Sequence, residues 1–349
     1  AEGSSLCFLQ PLRVAFLPPM QLALVGIAAC WAVVGAELPE VPNSLHGAIF
    51  FTSISTTSLG DLVRLECVGK CSSPTVLLGD IEPYGGLVPF NGSLLAASKM
   101  RQVVQLDPWC RTHGCPVTPL VDVERALGPR GDDGSFHVAG MAWCQNSLYI
   151  TFAGSNSTGV LRCADCSLGH DCTSSCSIVD GGSQTGKGPQ QLSEFAAAVT
   201  CLRDQDLLVT DNSNWRVQAI PTGCTSAPCD IQTFASGLKW PLGIDVVGGG
   251  SRVLVTLDSG IVSLSPDGTK RLDNWSMRED SGYLCEGGGR ILVASGGDGN
   301  VVSLDPACDG PNCTEVVVWN STASTARAGG AITYMPFPQL PKELRAFIV

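Results

Sequence analysis

Two short stretches, Gly260-Ile-Val-Ser-Leu-Ser-Pro-Asp-Gly268 and Asn300-Val-Val-Ser-Leu-Asp-Pro-Ala-Cys308, share one pattern. Each runs apolar to a leucine and then enters a turn. The same pattern recurs upstream in Asp61-Leu-Val-Arg-Leu-Glu-Cys67, Gln102-Val-Val-Gln-Leu-Asp-Pro-Trp-Cys110, Gly159-Val-Leu-Arg-Cys163 and Arg216-Val-Gln-Ala-Ile-Pro-Thr-Gly-Cys224. Leu65, Leu106, Cys163, Ile220, Leu264 and Leu304 are then equivalent, separated by 41, 57, 57, 44 and 40 residues. A period near 40 with two insertions marks a repeat architecture.

Three further strands complete each unit. A β-branched, apolar segment precedes each quoted stretch, at 48–54, 93–98, 147–153, 206–211, 252–258 and 290–296. Before it lies a strand that carries Gly or Ala, at 86–90, 139–144, 197–202, 243–247, 282–285 and 330–334. A fourth strand follows the turn, as in 75–78, 231–234 and 314–319. Short strands bounded by Gly, Ser, Asn and Asp have this composition because those residues supply turn geometry. Four antiparallel strands repeated six times predict an all-β, six-bladed β-propeller, whose blades bury one another's apolar faces. The first unit lacks its first strand, and 330–334 supplies an extra one. The ring is therefore expected to close by pairing both ends of the propeller, with residues 343–349 adding to the last blade.

Composition agrees. The chain has 349 residues, 40 Gly, 22 Pro and a net charge of −11. The acidity excludes nucleic acid as the main partner, since phosphate binding needs clustered Lys and Arg. Residues 22–36 are apolar, uncharged and end in Val34-Gly35-Ala36. That reads as a secretory leader over residues 1–36, cleaved after Ala36, with the propeller over 37–349. An uncleaved signal anchor is the alternative, and only then is a membrane a partner. The secretory pathway, extracellular or lumenal, is the expected location. Sequons at Asn91, Asn156, Asn274, Asn312 and Asn320 predict glycosylation there.

Seventeen Cys also suit an oxidising compartment. Cys67/Cys71, Cys110/Cys115, Cys224/Cys229 and Cys308/Cys313 bracket the turn between third and fourth strands, and Ser265-Pro-Asp-Gly268 replaces such a pair in another unit. These pairs are expected to be hairpin disulfides. Cys163, Cys166, Cys172 and Cys176 predict two more, with a four-thiolate zinc site as the rival. Cys144, Cys201 and Cys285 end first strands. They are expected to be buried apolar thiols, with a Cys144–Cys201 link between neighbouring blades as the second reading.

The unit Gly243-Ile … Val253-Leu-Val-Thr … Gly260-Ile-Val-Ser-Leu resembles the NHL-repeat type of six-bladed propeller, as does Leu207-Leu-Val-Thr-Asp-Asn-Ser-Asn-Trp-Arg-Val-Gln-Ala-Ile220. The resemblance covers residues 45–349. It implies architecture rather than activity, because this fold hosts enzymes and binders alike. Related gluconolactonase-like propellers hold Ca2+ or another divalent cation in the channel mouth and hydrolyse lactones or esters. On that resemblance Asp211 matches the Asp after the second strand, with Glu82 and Glu194 as further ligand candidates. Glu82 departs from the pattern, being followed by Pro-Tyr-Gly. Strictosidine-synthase-like propellers imply a channel Glu without metal, for which Glu194 or Glu279 is placed. The four His are too scattered for a three-His metal site. No nucleophile elbow occurs, and Arg130-Gly131-Asp132 is read as turn chemistry. A disulfide-stapled binding module for a protein or small ligand, working alone or in a larger assembly, is the leading expectation. A divalent-metal lactonase or esterase is the alternative.

Overall fold

The equivalent positions of the repeat occupy equivalent places in space. The computed structural model describes residues 45–54, 59–68, 70–99, 101–128, 136–154, 158–182, 186–203, 205–276, 281–296, 298–308, 313–321 and 327–337. Blade one holds β1 (His46–Ile54), β2 (Gly60–Val68) and a divided outer strand, β3 (Lys70–Cys71) and β4 (Thr75–Ile81). Blade two runs β5 (Leu87–Phe90), β6 (Ser93–Ala97), β7 (Gln102–Leu106) and β8 (Val117–Asp122), followed by α1 (Val123–Leu127). Blade three runs β9 (Phe136–Cys144), β10 (Ser147–Gly154), β11 (Thr158–Ala164) and β12 (Cys176–Gly182). Blade four runs β13 (Ala196–Leu202), β14 (Asp206–Asp211), β15 (Arg216–Pro221) and β16 (Gln232–Ser236). Blade five runs β17 (Ile244–Val247), β18 (Arg252–Leu257), β19 (Gly260–Leu264) and β20 (Arg271–Ser276). Blade six runs β21 (Ser281–Gly287), β22 (Arg290–Ser295), β23 (Val301–Leu304) and β24 (Val316–Trp319). The last strand, β25 (Arg327–Pro336), returns to pair with β1 and is the inner strand of blade one. The chain is a six-bladed β-propeller closed by its two ends, as the repeat predicted. Residues 343–349 lie outside the described residues.

The register explains the repeat. Leu65, Leu106, Cys163, Ile220, Leu264 and Leu304 sit opposite Ile49, Leu94, Leu148, Leu207, Val253 and Ile291 respectively. All twelve are buried. They are the cross-strand apolar pairs that stabilise a sheet whose two faces are both covered by neighbouring blades.

A second repeat joins blade to blade. Three residues after the partner position, four of the second strands carry threonine: Thr52, Thr151, Thr210 and Thr256. All four are fully buried. Each hydroxyl donates to a carbonyl of the next blade's inner segment. Thr151 reaches Ala197 at 2.7 Å and Thr210 reaches Leu242 at 2.8 Å. Thr52 and Thr256 reach Pro83 and Gly282. A buried hydroxyl must find such a partner, and here it ties neighbouring inner strands together. The small inner-strand residues permit the approach. A Cβ on Gly140 would lie 2.7 Å from the Ala197 carbonyl, closer than a side chain tolerates.

Disulfides fasten the outer hairpins. Cys67–Cys71, Cys110–Cys115, Cys224–Cys229 and Cys308–Cys313 join third to fourth strands. In blade three Cys163–Cys176 does the same across paired β11 and β12, while Cys166–Cys172 closes the loop between them. The cluster is thus two disulfides rather than a zinc site. In blade five Thr269 N donates to Asp267 at 3.1 Å and Gly268 N to Ser265 O at 2.9 Å. This Asx turn stands where the other blades have sulfur.

One expectation is corrected. Cys144 and Cys201 are not isolated apolar thiols. They are joined, with Cα atoms 6.0 Å apart, and they link the inner strands of blades three and four. Equivalent ends of neighbouring inner strands lie side by side in a ring, which brings these two cysteines within bonding reach. Cys285 stays free and buried.

Candidate functional site

The inner strands surround the channel, and Tyr283 crosses it. This buried tyrosine of blade six donates its hydroxyl to Ala139 O of blade three, on the opposite side of the ring, at 3.0 Å. Burial pushes the phenol above its ordinary range, so the hydroxyl remains a donor. Tyr84, from the segment before β5, stacks over it with ring centroids 6.2 Å apart and is 41% exposed. The two rings separate the mouth where the inner strands begin from the mouth where they end.

The sequence-predicted ligands all belong to the first of these rims, and they do not converge. Glu82 precedes β5 and is half-buried; burial raises its carboxyl, and Arg101 opposes that shift. Glu194 is exposed beside Phe195. Asp211 ends β14 and is fully buried. Its Oδ1 accepts from Ser193 N at 2.8 Å, and its Oδ2 accepts from Asn214 Nδ2 at 2.9 Å and Arg216 Nε at 2.8 Å. Arg216 also donates to the carbonyls of Gly188 and Gln191, at 2.8 and 2.6 Å. Asp211 therefore anchors residues 186–193 to blade four, and Arg216 stands where a cation would. Among the described residues no group of three or more His, Cys, Asp or Glu could hold a metal ion. Glu279 lies outside the described residues. His137, on β9, is mostly buried, and desolvation lowers its basicity.

The same rim of blade four presents an aromatic surface that residue-type reasoning missed. Phe195 leads into β13, Trp215 turns β14 into β15, and Trp240 precedes β17. They are 51%, 49% and 43% exposed. Antiparallel pairing puts the start of β13, the β14–β15 turn and the end of β16 at one end of the blade. Backbone bonds fasten them together: Asn212 N to Phe195 O at 3.2 Å, and Leu238 N to Trp215 O at 2.9 Å. Asn212 Nδ2 adds a bond to Pro241 O at 3.1 Å. Trp215 and Trp240 both adopt left-handed backbone, with φ of 55° and 51°. That conformation is unfavourable for bulky residues, so the surrounding bonds hold these rings in place. Their legible signal was position, since each lies in a connection on the same rim.

Asn91 and Asn320 are exposed, and Asn274 lies on β20. Asn156, Asn312, Arg130-Gly131-Asp132 and the leader at 1–36 lie outside the described residues. Among the described residues no helix is long and apolar enough to cross a membrane.

Solved structures share this fold. A chain of a nidogen/laminin complex aligns over 83% of this chain and 98% of its own, with 12% identity and a TM-score of 0.57. A protein of unknown function from Bacteroides caccae aligns over 83% and 99%, with 10% identity and a TM-score of 0.52. A streptogramin B lyase aligns over 83% and 88%, with 12% identity and a TM-score of 0.48. No protein-family model and no curated protein matches the chain. What the first two of these establish is the propeller fold itself.

Proposed function

We propose that this chain is a secreted or lumenal, glycosylated binding module whose docking surface is the rim of blade four. The observation that carries this reading is the exposed group Phe195, Trp215 and Trp240, held on a rigid ring beside a channel that Tyr283 crosses. Large aromatic side chains at fixed positions are what protein interfaces use as anchors, because they bury much area at little entropic cost. Seven disulfides among the described residues support service in an oxidising compartment. The similar chain of the nidogen/laminin complex is an instance of this fold within a protein assembly. The metal-dependent lactonase gains nothing from Asp211, which is engaged by Arg216.

The test is capture of partners from extracellular fluid by the purified protein and by the triple variant F195A/W215A/W240A, with melting curves of both. The native protein is expected to retain a stoichiometric protein partner. The variant should keep its fold and lose at least about tenfold in affinity, since hot-spot aromatics contribute about 2 kcal/mol or more each. Unchanged capture by the variant would refute the docking surface. A stoichiometric divalent ion whose removal lowers the melting temperature would return the hydrolase reading.

A further inference from the structure

The second mouth of the channel, where the inner strands end, is a cavity of about 660 Å3 walled by all six blades. It lies across Tyr283 from the aromatic rim and does not depend on that rim's role. Its walls mix apolar side chains, Met141, Val199 and Ile332 among them, with polar groups such as Thr200 and Thr333. Trp143 stands on one side, packed on Phe90 with ring centroids 4.3 Å apart. Two carboxylates interrupt this surface, Asp245 on β17 and Glu286 on β21.

Asp245 is held by three blades. Its Oδ1 accepts from Val246 N at 2.8 Å and from Thr200 Oγ1 of blade four at 3.3 Å. Its Oδ2 accepts from Glu286 N of blade six at 2.8 Å. Glu286 in turn accepts from Gly248 N of blade five at 2.8 Å. No cation pairs with either carboxylate among the described residues. Arg203, at the rim, donates both Nε and Nη2 to the Gly250 carbonyl, at 3.2 and 2.7 Å. Burial, reinforced by Glu286, pushes the Asp245 carboxyl up to about 6. A fixed, partly buried carboxylate without a counter-charge, beside a second, exposed one, is an arrangement that a bound cation would relieve.

The chemistry of the walls selects the kind of cation. A hard metal ion takes six or more oxygen ligands at short range, whereas here two carboxylates, both already accepting hydrogen bonds, are the only acids on the walls, and no group of three or more ligating side chains converges among the described residues. An anion is opposed by the two acids, and Arg203, the guanidinium on these walls, is turned onto the Gly250 carbonyl. An organic cation meets both features, since its charged head pairs with carboxylates and its body packs on apolar and aromatic surface. We propose that this mouth binds an organic cation, its ammonium or guanidinium group between Asp245 and Glu286 and its apolar body against Trp143. The cation is a free amine or the side chain of a basic residue on a partner.

The test is calorimetric titration of the full chain with benzylammonium, with benzyl alcohol as the uncharged match, and with a Gly-flanked lysine pentapeptide blocked at both ends. Saturable one-to-one binding of a cation is expected, at least tenfold tighter than the alcohol and at least tenfold weaker in D245N. E286Q gives a second reading should D245N not fold, and melting curves distinguish the two cases. Binding of benzylammonium marks a free amine as the natural source, and binding of the peptide alone marks a basic side chain. No saturable binding of either cation, equal binding of the alcohol, or binding unaltered in folded D245N and E286Q would overturn the proposal. None of these results touches the capture experiment, which reads the opposite rim.

Discussion

Replacing Asp211 by alanine removes the acidic half of a buried ion pair. In the native protein Asp211 is fully buried and Arg216 nearly so. The change deletes three hydrogen bonds to the carboxylate, from Ser193, Asn214 and Arg216. It also leaves a guanidinium in a place that water barely reaches. Breaking one partner of a buried pair costs about 3–5 kcal/mol, chiefly because the remaining charge is stranded. At about 2 °C per kcal/mol for a domain of this size, the melting temperature should fall by roughly 6–10 °C. A double-mutant cycle with R216M separates the pair from the lost packing. The coupling energy should be about 2 kcal/mol, with the double variant more stable than D211A alone would predict from additivity. Both melts should be indifferent to chelator, because the interaction is with arginine. A fall of less than about 2 °C with no coupling would refute the reasoning, since it would mean that the pair is hydrated and adds little.

Three further outcomes are expected. Removing Cys144–Cys201 opens a 57-residue connection and should cost about 4 kcal/mol, against about 2 kcal/mol for the 4-residue separation of Cys67–Cys71, because loop-closure entropy grows with length; denaturant midpoints of the two double-serine variants check the order, and equal losses would count against it. Tyr283→Phe strands the Ala139 carbonyl and should cost about 1–2 kcal/mol without changing the fold, as read by chemical denaturation. Asp245 has its carboxyl raised to about 6 when folded, whereas the unfolded group titrates near the ordinary aspartate value. The folded state therefore binds the extra proton between those values, and this group's contribution falls as pH rises through about 4 to 6. Glu286 is the titratable group that raises Asp245 further, and Asp245 in turn adds to the burial that raises the neighbouring Cys285 thiol. D245N should flatten the stability profile in that window, and an unchanged slope would assign it to other groups.

The blades were legible because each depends on local pattern. Leu65, Leu264 and their equivalents announce a period, and the same positions pair in register with second-strand residues. Ring closure was legible as well, from a first unit that lacked a strand and a last one with a surplus. What escaped needed neighbours in space. Cys144 and Cys201, weighed one at a time, each resemble a small buried side chain. Their bond follows only when the two inner strands are set side by side, and Cys285 has no cysteine in the equivalent position on blades one or five. Taken alone, Asp211 at a strand end suggests a ligand, although Arg216 sits opposite it across the hairpin. That signal was present in Asp-Asn-Ser-Asn-Trp-Arg. The threonine repeat was also visible, yet its meaning depends on which carbonyl the next blade presents. Phe195, Trp215 and Trp240 are far apart along the chain and come to one rim only through the blade's connections.

The pairing of β25 with β1 sets an order of events during synthesis. Blades two to six are each made from consecutive chain and can form as they emerge. Blade one cannot, because Thr52 and Ala331, which share a hydrogen bond, are 279 residues apart. Until β25 arrives, Ala48, Phe50 and their neighbours on β1 face solvent along an open edge that invites other strands. The incomplete ring is thus the form most in need of a chaperone, and β25, made after the other described strands of the ring, is the one that ends this exposure.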